Sequence, residues 1–223
     1  HLAEIARINF ANAKRNPNAQ ARDWQFDDAD FARDSAKNPV IAGRIQRQDC
    51  SQVTDGAVAV VLAGERFATA WADRRGHCLE DTARLAGWGH RTARMALADK
   101  LADSKDDPYV APFVRQTVLD AFDRAGVADA RELDAVEVHD CFTTTEYLAI
   151  DHLGLTAPGE SWRAIEDGTI GPDGAVPINP SGGLIGGGHP VGATGVRMVL
   201  DATKQVTGTA GGDTITGNPK DNW

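Results

Sequence analysis

Cysteine is scarce in this sequence: Cys50, Cys78 and Cys141 are the three among 223 residues. The number is odd and no Cys-x-x-C pair occurs. A disulfide framework and a structural zinc site are therefore unexpected, no bound metal is expected, and a reducing compartment, the cytoplasm, is the expected location. Long apolar runs are absent. None approaches the ~20 residues a membrane-spanning helix needs. Positive charge is also short, with 23 Lys and Arg against 32 Asp and Glu for a net −9. With no basic stripe, that balance argues against nucleic acid as a partner. The start shows neither a signal peptide nor a lipidation motif. It is His1 rather than Met, which suggests a fragment or a processed chain. No repeat of fixed period is visible.

What the sequence has in quantity is glycine, gathered in one place. Asn179-Pro-Ser-Gly-Gly-Leu-Ile-Gly-Gly-Gly-His189-Pro-Val-Gly-Ala-Thr-Gly195 holds seven glycines between Gly182 and Gly195, with one histidine among them. Glycine lacks a Cβ, so such a loop lets backbone approach backbone or ligand closely. Beyond Gly195 apolar residues recur at helical spacing, so the loop ends near a helix N-terminus, where free N–H groups favour negative charge. A histidine placed there can serve as acid, base or hydrogen-bond donor near neutral pH. Read from the residues alone, the stretch is equally a glycine-rich surface loop with a solvated histidine.

The rest of the chain alternates strand and helix patterns, which argues for an α/β fold. Helices are expected over residues 2–14, 65–73, 108–126, 142–153, 162–167 and 194–206. Strands are expected over 57–62, a short unbroken apolar run, over 77–89, and over 133–139, which alternates. Residues 17–54 are polar and interrupted by Pro17 and Pro39, as in a loop-rich subdomain.

His139 closes the third strand pattern just before a helix pattern, within Val136-Glu-Val-His-Asp-Cys-Phe142. In open α/β sheets ligands gather at the carboxyl ends of strands, so His139 and His189 both stand at junctions where side chains can converge. Taken alone, His139 also reads as a structural hydrogen-bonding residue, and Asp140 as a cap for the following helix. Asn179 and Ser181 either position the glycine loop or only satisfy its backbone.

The pattern Asn-x-x-Gly-Gly-x-x-x-x-Gly-His-Pro-x-Gly-x-x-Gly resembles the second signature of the thiolase family. Glu137-Val-His-Asp-Cys-Phe142, followed by Glu146-Tyr-Leu and His152-Leu-Gly-Leu155, is similar to its sterol-carrier branch, where most other thiolases carry Asn-Glu-Ala-Phe. Gln48-Asp-Cys-Ser-Gln-Val-Thr-Asp-Gly-Ala57 resembles that branch too, and the likeness runs from about residue 2 to 208.

The resemblance implies a thiolase-like fold, a mixed sheet layered with helices, of which this chain supplies the C-terminal half and part of the loop domain. Residues 1–54 would belong to the CoA-holding loop domain, 55–73 to the last strand and helix of the N-terminal domain, and 74–223 to the C-terminal domain. It implies an acyl-CoA C-acyltransferase acting on acyl-CoA and 3-ketoacyl-CoA thioesters. CoA or acyl-CoA is then a substrate rather than a cofactor, and the full-length protein is a homodimer. His189 would activate a cysteine nucleophile and His139 would donate to the thioester oxygen. Asn179, Gly182, Gly183 and Gly188 would line the substrate. Two departures stand out. None of the three cysteines matches the family's nucleophile, and residues 211–223 lack its terminal Cys-x-Gly, so the chain by itself is expected to be inactive. Alternatives are a thiolase-like aldolase of steroid side-chain degradation, which tends to carry tyrosines where this chain has His139 and His189, and a non-catalytic lipid- or CoA-binding subunit.

Overall fold

The computed structural model describes residues 1–211. The terminal stretch in which no Cys-x-Gly is found therefore lies, from 212 onward, outside the described residues. Helix α1 (Leu2–Arg15) opens the chain. A two-stranded antiparallel ribbon follows, β1 (Val40–Ala42) with β2 (Ile45–Gln46). Then come α2 (Glu65–Arg75), α3 (Leu97–Asp103), α4 (Pro112–Ala125), α5 (Thr143–Leu153), α6 (Ser161–Glu166), α7 (Gly183–Gly187) and α8 (Thr194–Val206). The expected helices all form. Helix α3 was not expected, and neither was the helical turn α7 inside the glycine loop.

Helix α1 buries Ile5, Ala6, Phe10 and Ala13 together with two amides, Asn9 and Asn12. It lies between α5 on one side and α7 on the other. Ile5 joins a core with Val138, Ile150, Leu153, Leu155, Ile165, Ile170, Val176 and Ile178. Ala6 and Phe10 join a second cluster with Ala21, Phe31 and Ile185. Each fully buried Ile or Leu contributes roughly 1.5–3 kcal/mol of transfer free energy, so this packing fixes α1 against both neighbours.

Strand pairing is sparser than the pattern suggests. The 133–139 stretch makes one parallel bridge, Val136 to Ile178, in which the Asn179 N–H donates to the Val136 carbonyl at 2.8 Å. The run Ala57–Leu62 forms no regular element; Val61 and Leu62 are 88% and 79% exposed. Intermediate burial at Val58 and Val60 alternates with exposure at Ala57, Ala59 and Val61, the periodicity of a strand that has no paired neighbour. The 77–89 stretch likewise lacks strand pairing. Its end lies on α4, where a Cβ at Gly87 or Gly89 would strike the backbone at Ala121 and Thr117.

Candidate active site

Two histidines meet because three chain segments are stitched together. Cys50 bridges antiparallel to Phe142, and the Ser51 N–H donates to the Cys141 carbonyl at 3.0 Å. Two residues on, Val53 bridges in parallel to His189. The His189 N–H donates to the Gln52 carbonyl at 3.0 Å, and the Thr54 N–H to the His189 carbonyl at 3.1 Å. The segment 50–54 therefore clamps the end of the His139 stretch to the glycine loop. The His139 and His189 rings stand edge to face with centroids 5.3 Å apart at 83°.

His189 is half-buried and its Nδ1 lies 2.7 Å from the Thr194 hydroxyl at the start of α8. That contact orients the ring and leaves Nε2 with no partner among the described residues. Loss of water around the ring and, second, the nearby Arg197 charge lower its pKa below the ordinary histidine value. His139 is exposed apart from its contact with the His189 ring. Desolvation first and the neighbouring imidazole second lower its pKa as well. Both rings are held neutral at neutral pH, the form in which an imidazole can accept a proton or donate one hydrogen bond.

The glycine loop is held from beneath by carboxylates that flank His139. Asp140, fully buried, accepts from the backbone N–H groups of Leu184 at 2.6 Å and Ile185 at 3.1 Å. It does cap a helix, but that helix is α7 rather than the α5 it precedes. Glu137 accepts from the Ser181 N–H at 3.0 Å, the Ser181 hydroxyl at 2.7 Å and the Gln205 amide at 2.7 Å, so it ties the loop to α8. Burial outweighs those three donors and pushes the Glu137 carboxyl up to about 7. Asn179 accepts from the Val138 N–H at 2.8 Å and donates to Glu146 at 2.8 Å. Among the described residues, Asn179 at φ 50 and Val191 at φ 30 are the non-glycine residues with positive φ, one at the start of the loop and one just past His189. Such backbone persists where surrounding bonds over-determine it.

Among the residues expected to line substrate, Asn179 is fully buried in this network. A Cβ at Gly182 would come 2.7 Å from the Ala13 Cβ, and one at Gly183 would strike the Asp140 carboxylate. Gly188, at φ +106, sits against Gln20 and Thr54 immediately before His189. The glycines at 182 and 183 thus meet protein, namely α1 and Asp140. Cys141 is half-buried with its sulfur 3.7 Å from the Thr145 hydroxyl, Cys50 donates to the Gln46 carbonyl at 3.4 Å, and exposed Cys78 donates to Glu80 at 2.8 Å. None of these thiols is hydrogen-bonded to His139 or His189. Thr194, Asn9, Glu146 and the clamp at Gln52 and Thr54 were missed in the sequence. The resemblances quoted above contain Gln52, Thr54, Glu146 and Thr194 but gave none of them a role, and nothing singled out Asn9.

Residues 96–219 match the family model described as thiolase C-terminal domain-like. The chain belongs to the thiolase family. It is 34% identical over 210 residues to the acetyl-CoA acetyltransferase of Methanothermobacter thermautotrophicus, covering 94% of this chain and 50% of that protein. To human sterol carrier protein 2 it is 26% identical over 217 residues, 95% of this chain and 36% of that one. To the benzoylsuccinyl-CoA thiolase subunit BbsB of Thauera aromatica it is 26% identical, over 92% of this chain and 49% of that one. This thiolase-family chain spans half or less of the length of these curated relatives. Its backbone superimposes on the Ltp2-ChsH2(DUF35) aldolase with a TM-score of 0.71 at 19% identity, over 96% of this chain and 52% of that one. That likeness is one of fold, the α/β thiolase type expected from the signatures. Among the described residues no helix is long and apolar enough to cross a membrane, and no cluster of three or more His, Cys, Asp and Glu could hold a metal ion.

Proposed function

We propose that the protein acts as an acyl-CoA C-acyltransferase on acyl-CoA or 3-ketoacyl-CoA thioesters, with His189 as base and His139 as donor to the thioester oxygen. The observation that carries this reading is the pair of imidazoles with ring centroids 5.3 Å apart, His189 being anchored through Nδ1 and its Nε2 having no partner among the described residues. A thiol of pKa ~8.5 is mostly protonated at neutral pH, and an adjacent imidazole that accepts its proton raises its reactivity. A fixed donor at the developing oxyanion is worth about 3–4 kcal/mol. The thiolase-type names of the relatives agree with that class of reaction.

The thiol is to come from a segment outside these 223 residues, which makes the chain alone inactive in transfer. Asn179, Gly182 and Gly183 then serve substrate by shaping the loop, and Gly188 by standing beside His189. The division into a CoA-holding loop region (1–54), a last N-domain strand and helix (55–73) and a C-terminal domain (74–223) belongs to the same proposal, as do a homodimer and a cytoplasmic setting.

The order of effects of two substitutions in the full-length protein tests it. His189→Ala should lower the transfer rate by about 10²–10⁴. His139→Asn should be milder, because an amide also donates to a thioester oxygen. Circular dichroism should show both variants folded. A larger loss at 139 than at 189 would reverse the assignment, and no loss at either would leave the loop a structural one. Calorimetry gives a second check: acetyl-CoA or a longer acyl-CoA should bind at micromolar Kd or tighter, about −8 kcal/mol.

A further inference from the structure

The acyl-transfer reading makes no use of Glu146, which is fully buried in the first turns of α5. Its Oε2 accepts from the Asn9 amide at 2.7 Å and the Asn179 amide at 2.8 Å. The second hydrogen of the Asn9 amide goes to Asp140 at 3.0 Å. Among the described residues, two buried acceptors of this cluster are left without any donor, Glu146 Oε1 and Asn9 Oδ1. They belong to groups that already touch through their other atoms. Turning the Asn9 amide over would set its oxygen against both carboxyls and so worsens the mismatch.

A proton resolves it. Placed on Glu146 Oε1 and donated to Asn9 Oδ1, it closes an acid–amide ring in which each group gives one hydrogen bond and receives one. The negative charge of the cluster then rests on Asp140, which has two backbone N–H donors from α7 as well as Asn9. We infer that Glu146 works as a neutral acid: a positioning residue that, through Asn9 and Asp140, keeps the Gly183–Gly187 turn seated on α1 and His189 facing His139.

The groups around Glu146 agree. Asp140 and Glu137 face it from the His139 stretch and both would repel a second anion. Among the described residues, helix α1 and the loop present to it the amides of Asn9 and Asn179. From α8, Arg197 acts on Asp140, and Asp201 adds negative potential at Glu137. Burial first, and Asp140 second, push the Glu146 carboxyl up. Because the folded chain keeps a proton that the unfolded chain releases, the stability this group confers is full below the ordinary carboxyl range and is lost as pH rises through its folded value. The consequence for His189 rests on the acyl-transfer reading; the protonation itself does not.

Infrared spectroscopy and thermal melting of the full-length protein test the inference without any activity assay. At neutral pH the carbonyl stretch of a protonated buried carboxylic acid should be present. It should lose a component in Glu146→Gln that Glu137→Gln retains. Gln reproduces the heavy-atom shape of the neutral acid, accepting through its oxygen and donating to Asn9 through one hydrogen of its NH₂. Glu146→Gln should therefore match the parent Tm at about pH 6 and lose less of it by about pH 9, with the His189 imidazole resonances unshifted. Glu146→Leu should melt lower and shift those resonances. An unchanged carbonyl stretch and an unchanged pH slope in Glu146→Gln would overturn the proposal, as would a Gln variant already impaired at about pH 6; should the Leu variant not fold, the Gln comparison decides alone. Loss of the stretch in a protein that transfers no acyl group would sink the catalytic reading and leave the neutral acid in place.

Discussion

Glu137 shows at the scale of one residue how burial ties stability to pH. Its three donors favour the ionised form, yet loss of water prevails and the carboxyl rises from an ordinary 4.5 to about 7. Between those values the folded chain holds a proton that the unfolded chain has released. The sign is therefore fixed: the stability is present at low pH and drains away as pH rises through about 7. Across the whole window the effect is on the order of 3 kcal/mol. Urea midpoints measured as a function of pH should fall across this range, and Glu137→Gln should flatten part of the fall. A midpoint that rises toward neutrality would contradict the assignment. The position was not legible in the sequence. Glu137 lies on an alternating stretch whose pattern admits an exposed carboxylate, and only the fold brings Ser181 and Gln205 to it.

At the scale of elements, the seat of α7 on α1 decides where His189 points. The glycine run permits the approach: a Cβ at Gly186 would lie 2.6 Å from the Ala13 Cβ and 2.8 Å from the Asn9 carbonyl oxygen. Gly186 sits within α7 and has an ordinary φ, so Gly186→Ala tests contact rather than backbone strain. Pushing α1 and α7 apart should cost about 1–3 kcal/mol. Chemical denaturation should register that loss, and the His189 imidazole shift should move with it. An Ala variant as stable as the parent would mean that α1 yields freely. The sequence pointed to close approach here without naming the neighbour. It placed the helices well because their periodicity is local, as in α1, α4, α5 and α8. Residues 57–62 and 77–89 remained unpaired because a strand is completed only by its neighbour.

At the scale of the molecule, apolar side chains remain outside the two cores. Val61, Leu62, Trp88 and Met95 are 88%, 79%, 59% and 96% exposed, and the unpaired 57–62 stretch adds free backbone donors and acceptors. Apolar surface of this kind, next to an unpaired edge, favours association. The 223-residue chain should sediment as larger species whose proportion rises with concentration. A sharply monomeric chain that melts cooperatively would contradict this.

Local patterns and the two signatures were enough to determine the family, the α/β class, the positions of six of the eight described helices and the choice of the two histidines as the candidate site. Those properties depend on residues close together in sequence, through helical periodicity and through fixed spacing around His139 and His189. The tertiary structure alone decided that Asp140 caps α7, that Thr194 orients His189, that residues 50–54 clamp the pair, and that Asn9 and Glu146 share one buried network. The hydrogen bonds of Asn9 to Asp140 and Glu146 join positions 131 and 137 residues apart. No local pattern encodes partners at that separation, and burial, which sets the protonation of these carboxyls, exists only once the chain has folded.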